Sequence, residues 1–264
     1  MKDIDTIVIA VGGQGRRITA ELKRREIKTS KIFLKLNGKP FLSHLIDMSL
    51  ALNFQKVFLL SSYYERELRI FLKENYPSAN QIVPIYGGKS GRKLGVPWLL
   101  YSIRQKLRKP FIYSDGNILY NKSILKKLKD AELMKPTIAN VVLNSKDLAP
   151  THSRIIVHKS RIKSVNTRLP NSKDRKINLR GRQYYSLGLM ALNSDIFSSI
   201  PSFAYKKDLD FVICDIFRLD ENMVKATIYK GSWIAVHNIH DVLHGNDNVL
   251  LAGSRNVRSN QLRY

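Results

Sequence analysis

Cysteine is almost missing from this chain. Cys214 is the single one, so no disulfide can close within the chain and nothing points to an oxidising compartment. Acidic residues are scarce, 21 Asp and Glu against 45 Lys and Arg, a formal net charge of +24. No apolar run approaches the roughly 20 residues that span a bilayer. The opening residues pass straight into a strand-like run without a signal-peptide pattern. A soluble, cytoplasmic protein is therefore expected. No block of about five or six like charges occurs, and the aromatic-basic motif of an RNA-binding sheet is missing. The charge is dispersed along the chain, so no membrane or nucleic-acid partner is expected. The competing reading is a polyanionic partner, which for nucleic acid requires a contiguous basic face away from any pocket.

What the chain does hold is concentrated near its start. Residues 6–11 are an apolar, largely β-branched run, hydrophobic on both faces, the pattern of a buried parallel strand. The run enters Gly12, Gly13 and Gly15, then Arg16 and Arg17, and a second basic cluster follows from Lys31. Glycines let backbone N–H groups approach an anion without side chains in the way. Arg17 and Lys31 can supply the positive charge. The pattern reads as a phosphate pocket; a plain strand–helix turn beside surface charges is the structural alternative.

Periodicity organises the rest. Strands are expected at 4–11, 56–62, 82–86 and 110–115, and helices from Pro40 to about Leu52, at 65–74, and from Pro97 onward. Residues 16–30 read as a mobile loop or a frayed short helix. This alternation argues for a doubly wound parallel sheet. Beyond about residue 135 the texture changes to strands at 137–143, 153–157, 161–166, 184–192 and 224–229, with a flexible excursion at 167–180. Helices are expected at 209–217 and from Asp241, and a frayed basic tail at 252–264. At 264 residues, one continuous domain is the simplest organisation.

The order of a strand, Gly-Gly-X-Gly-X-Arg, a loop, a lysine, then Asn37, Gly38, Lys39 and Pro40 before a helix resembles the sugar-phosphate nucleotidyltransferases, or nucleotide-sugar pyrophosphorylases. Later segments fall in the same order. Residues 93–98 resemble the family's Leu-Gly-Thr-Ala segment, which lines the nucleotide base. Residues 113–116 resemble its Gly-Asp strand end, where the aspartate holds magnesium. Residues 185–190 resemble the strand that touches the sugar, and residues 232–242 the late Trp-X-Asp segment. The likeness spans about residues 4–250.

The resemblance implies a Rossmann-like, doubly wound mixed α/β sheet of the nucleotide-diphospho-sugar transferase type. It would form a single domain over 1–251, with a nucleotide half at 1–130 and a sugar half at 131–251. It also implies transfer of a nucleotidyl group from an NTP to a sugar-1-phosphate, with Mg²⁺ as cofactor. Val11, Gly12, Gly13, Gly15, Arg16 and Gly95 would then hold the nucleotide. Arg17 would hold the leaving phosphates, and Lys31 the α-phosphate or the sugar phosphate. Asp115 would hold the metal, and Gly188 and Trp233 would meet the sugar. A homo-oligomer is an allowed assembly.

The chain departs from the pattern at four places. Arg16 stands where threonine or serine is usual, Ser30 for a proline, and Val96 for a threonine. Ala235 lies where many members carry a second metal-binding aspartate, with His237 and Asp241 nearby as substitutes. The alternative is a catalytically weak or inactive homologue that binds a nucleotide-sugar and regulates. For several positions a structural role competes: Asp115 as a turn former, Gly188 as a bulge glycine, Gly95 as the lead into a helix start, Trp233 as packing. His237, His240 and His244 lack a cysteine or glutamate companion, so zinc is not expected.

Overall fold

Thr6–Ala10 forms β1, and the two faces of this short strand go into two different cores. Ile7 and Ile9 pack into one apolar layer, Val8 into the other. The same alternation runs through β4 (Lys56–Ser61), where Val57 and Leu59 face one layer and Phe58 and Leu60 the other. In β6 (Phe111–Asp115) Ile112 opposes Phe111 and Tyr113. A strand buried on both faces needs helices on both sides. They are supplied by α1 (Phe41–Ala51), α2 (Glu65–Asn75) and α4 (Lys122–Lys129) on one face and by α3 (Gly88–Ser102) on the other. Each fully buried leucine or isoleucine, such as Leu42, Leu45 and Ile46 of α1, contributes about 1.5–3 kcal/mol.

The computed structural model describes residues 4–13, 18, 20, 22, 24, 26, 29–130, 138–143, 154–158, 161–166, 182–198, 224–231 and 233–236. The remaining strands are β2 (Lys35–Leu36), β3 (Lys39–Pro40), β5 (Ile82–Tyr86), β7 (Ile118–Tyr120), β8 (Ile138–Leu143), β9 (Arg154–His158), β10 (Arg161–Asn166), β11 (Arg182–Leu192), β12 (Val224–Tyr229) and β13 (Trp233–Ala235). A nine-stranded sheet has the order β5-β4-β1-β6-β11-β8-β12-β10-β9. β5, β4, β1 and β6 are mutually parallel. β11 runs antiparallel to both β6 and β8, so one sheet joins the two halves of the chain. The fold is thus the Rossmann-like, doubly wound mixed sheet in a single domain that the sequence implied.

Local chemistry explains several joints. Asn37 and Gly38 both have positive φ, 51° and 74°, the combination a tight hairpin requires, and they connect β2 to β3. The Asn121 side chain accepts from Ser123 N–H at 2.8 Å and caps α4. Val57 N–H bonds Gln81 O, and Gly87 N–H bonds Ser61 O. The odd-numbered residues of the edge strand β5 therefore face β4, and Pro84 faces outward. There its missing N–H denies an intruding strand a donor.

The helix expected from Pro97 starts earlier, at Gly88. Gly95 interrupts it with φ 78° and ψ −165°, and the helix resumes with Pro97 in its new first turn. Of the segment 16–30, Ile18, Ala20, Leu22 and Arg24 are helical, and Ile18 and Leu22 are buried in the core. The expected elements at 167–180, at 209–217, from Asp241 and over the tail 252–264 lie outside the described residues.

Candidate active site

β4 and β5 extend the sheet to one side of β1, and β6 joins it on the other. The chain order reverses between β1 and β6, and open sheets of this kind form a crevice at such carboxyl ends. In register, Ala10 at the end of β1 lies between Leu60 and Asp115. The turn that follows is pinned to β4. Val11 and Gly12 N–H groups both donate to Leu60 O, at 2.9 and 3.0 Å. Gly12 lies so near β4 that a Cβ there would sit 2.2 Å from Ser62 N, so no other residue fits without moving the strand. A Cβ on Gly13 would meet nothing within 4 Å, and the residue is exposed. The turn thus pairs a backbone locked against β4 with one that faces open space.

Asp115 ends β6 half-buried. Strand periodicity puts Tyr113 on the same face, and its hydroxyl donates to Asp115 Oδ1 at 2.6 Å. Beneath, the Tyr120 hydroxyl donates to Ser114 Oγ at 2.9 Å. Burial holds the Tyr120 phenol well above the ordinary tyrosine range, outweighing the opposing effect of that bond, so it stays a neutral donor. The next residue, Gly116, donates its N–H to Ala10 O at 3.0 Å, tying the turn after β6 to β1.

The other carboxylate oxygen faces β11. The register of β11 against β8 shifts between Ser186 and Met190, and Gly188, inside that irregularity, has φ 70°. A Cβ on Gly188 would lie 2.3 Å from Asp115 Oδ2. The bulge reading of Gly188 agrees with this backbone, and the structure adds what the sequence did not show: the glycine makes room for the Asp115 carboxylate.

β13 pairs antiparallel with β7, the strand that leaves the Asp115 turn. Ala235 lies opposite Ile118, and Val236 N–H donates to Asn117 O at 2.8 Å. A methyl group, largely buried, therefore stands beside the turn after Asp115. Trp233 is half-buried, opposite Tyr120 and packed against the core. Among the described residues no cluster of three or more His, Cys, Asp or Glu side chains could hold a metal. The donor set nevertheless fits Mg²⁺, which takes one or two carboxylates and fills its shell with phosphate oxygens and water.

Lys31 opens a 3₁₀ turn, Lys31–Phe33, anchored by buried Ile32 and by Phe33, whose ring is 5.3 Å from Phe71. Gly95 sits at the break in α3, next to half-buried Val96. Gly15, Arg16, Arg17, His237 and Asp241 lie outside the described residues. Tyr113 and Ser62 were not anticipated. Tyr113 is two residues before Asp115, a spacing that shares a strand face, so its signal was available. Ser62 Oγ is buried without a hydrogen-bond partner, in a space that the missing side chains of Gly87 and Gly91 leave open. Arg92 Nε donates to Ser62 O at 2.8 Å, with its guanidinium 5.3 Å from the Tyr63 ring.

No family model and no curated protein sequence matches the chain. Solved structures do. The inositol-1-phosphate CTP transferase from T. maritima superposes with a TM-score of 0.71 at 17% identity, covering 94% of this chain and 96% of that one. A Bacillus anthracis protein, assigned as a glucose-1-phosphate thymidylyltransferase and solved with sucrose, gives 0.72 at 14% identity, with coverage of 96% and 97%. The CTP:phosphocholine cytidylyltransferase from Streptococcus pneumoniae gives 0.67 at 15%, with 92% and 98%. The chain shares its fold, over almost its whole length, with these proteins.

Proposed function

We propose that this protein transfers a nucleotidyl group from an NTP to a sugar-1-phosphate, forming an NDP-sugar and pyrophosphate. One observation carries the reading. At the switch point of the sheet, the exposed backbone of Gly13, held in place by Gly12 pinned to β4, and the carboxylate of Asp115 occupy adjacent strand ends, linked through Ala10. The names of the structural neighbours, transferases of nucleotides onto phosphorylated small molecules, support it.

In the proposed reaction an oxygen of the sugar phosphate attacks the α-phosphorus. The bond from that phosphorus to the bridging oxygen of the β-phosphate breaks, and pyrophosphate leaves with the electron pair. Such transfer needs alignment and charge neutralisation more than covalent help. The turn, fixed by Gly12 against β4, presents the Gly13 backbone to the triphosphate. Arg17 neutralises the leaving phosphates, and Lys31 the α-phosphate or the incoming phosphate. Asp115 holds Mg²⁺, which when bound neutralises phosphate charge. Tyr113 fixes the orientation of Asp115. Gly95 and Val96 border the base, and Gly188 and Trp233 the sugar.

The test is pyrophosphate release across a panel of NTPs and sugar-1-phosphates with Mg²⁺, preceded by thermal-shift binding of the four common NTPs. Turnover with one pair, abolished by Lys31→Ala or Asp115→Ala, is the expected result. Ala235 beside the Asp115 turn favours a second reading, a nucleotide-sugar-binding regulator. Binding of a nucleotide without turnover on any pair decides for it.

A further inference from the structure

The parallel strands have two ends. Their carboxyl ends form the crevice, and their amino ends form an opposite rim. Three contacts at Ile4 and Asp5 draw that rim together. Lys109 Nζ lies 3.7 Å from the Asp5 carboxylate. Lys56 N–H donates to Asp5 O at 3.2 Å, and Ile4 N–H donates to Lys129 O at 3.1 Å. The loop at 104–109 belongs to the α3 face of the sheet, since Ile103 and Leu107 pack in that core. The last turn of α4 belongs to the other face. Both meet at the same two residues, so their charges form one continuous rim across the thickness of the sheet.

The exposed side chains there are Lys56, Lys106, Arg108, Lys109, Lys126 and Lys127. The acids beside them among the described residues are Asp5 and Asp130. Arg104 lies over the Tyr101 ring at 4.1 Å, and Lys129 Nζ donates to Leu52 O. Lys126 and Lys127 also complement the carboxyl end of α4, but that is satisfied within one turn and does not call for the cations on the other face. Folding therefore brings six cations that are dispersed in the sequence onto this one rim.

We propose that this rim is a docking surface for an anionic phospholipid bilayer. Two features favour lipid over nucleic acid. Lysine predominates, and lysine is a hydrated point charge suited to a diffuse charged surface, whereas arginine is the residue of phosphate and nucleic-acid readout. Among the described residues the rings near this rim are engaged and not offered for base stacking: Phe54 and Phe111 are buried, half-buried Phe197 stacks on Phe111, and Arg104 covers one face of Tyr101. The rim and the crevice lie at opposite ends of the parallel strands, so a bilayer docked at the rim leaves the crevice facing water. The contact is independent of the proposed nucleotidyl transfer.

The experiment is co-sedimentation of the full chain with vesicles of phosphatidylglycerol and phosphatidylcholine, against pure phosphatidylcholine, at rising salt, with single-stranded and duplex RNA in parallel. The test variant is Lys106→Glu/Arg108→Glu/Lys126→Glu/Lys127→Glu. The control, with the same change in net charge elsewhere, is Arg66→Glu/Lys73→Glu/Lys225→Glu/Lys230→Glu. Thermal unfolding confirms that both fold. Expected is salt-sensitive binding to the anionic vesicles alone, weakened more than ~100-fold by the test variant, at about fivefold per cation removed. The control should lose far less. Absence of vesicle binding, equal loss in both variants, or RNA bound more tightly through the same residues overturns the proposal.

Discussion

Replacing Gly188 by alanine should damage this protein in two separable ways. Its φ of 70° places the backbone in the left-handed region, where a Cβ costs about 1–2 kcal/mol. The added Cβ would also fall 2.3 Å from Asp115 Oδ2, well inside contact distance, so the carboxylate must turn away. That breaks its bond from the Tyr113 hydroxyl, worth about 1.5–3 kcal/mol when one partner is charged. The sum is roughly 3–5 kcal/mol. At about 2–4 °C per kcal/mol for a chain of this size, Tm should fall by about 6–20 °C. Gly38 supplies the control, because its φ is 74° and a Cβ there would meet nothing within 4 Å. Gly38→Ala should therefore cost the backbone share alone, about 1–2 kcal/mol. Calorimetry on both variants, each made also in an Asp115→Ala background, isolates the contact. There the penalty of Gly188→Ala should shrink towards that of Gly38→Ala, while Gly38→Ala is unchanged. If Gly188→Ala costs as much without the Asp115 carboxylate as with it, the contact reasoning is wrong. A displaced Asp115 should also cut pyrophosphate release about 100-fold, the usual effect of misplacing a reacting group by an ångström.

Other expectations follow from the same geometry. Gly12→Ala drives a Cβ into the backbone at the end of β4, Ser61 and the following Ser62, and should destabilise by about 1–3 kcal/mol, read by urea unfolding. Tyr113→Phe removes the hydroxyl that donates to Asp115 Oδ1. It should leave the fold intact and change Mn²⁺ affinity, measured by electron paramagnetic resonance, whereas a merely structural tyrosine would leave that affinity alone. Burial raises the phenol pKa of Tyr76, Tyr86, Tyr120 and Tyr229 above the ordinary value near 10. Above pH 10 the unfolded chain releases these protons first and binds fewer than the folded one, so stability should fall as pH rises. Urea midpoints should be flat in this respect below pH 10 and decline above it, less steeply for Tyr120→Phe.

The first half of the fold was legible because burial on two faces writes itself as unbroken apolar runs, as at Thr6–Ala10 and Lys56–Ser61. α1 and α2 carried their apolar stripes at helical spacing. The misses have physical causes. The opening turns of α3 are rich in glycine and cations, and they are held by Gly88 N–H donating to Glu65, a tertiary contact. α4 is a short lysine-rich helix whose apolar stripe, Ile124, Leu125 and Leu128, is too brief to stand out. β7 and β13 are three residues each and exist through pairing with one another, which no local pattern records. At the site, the glycine turn and Asp115 were legible as residue types with the right neighbours. Gly188 could be read as a bulge, but its contact with Asp115 arises from the placement of β11 against β6.

The pairing of β13 with β7 also bears on how the molecule comes into being. β1, β4, β5 and β6 can be laid down in sequence as successive strand–helix–strand units, each closing a short loop. The strand that flanks the Asp115 turn is supplied by residues 233–235, more than a hundred positions later. Loops of that length close slowly, and a ribosome adding about 5–20 residues per second needs several seconds to deliver the segment. On a nascent chain the glycine turn after β1 can form early while the wall holding Ala235 is still unmade. The crevice is therefore complete only after residues 233–235 have been made, and any ligand that binds both walls cannot engage the chain before then.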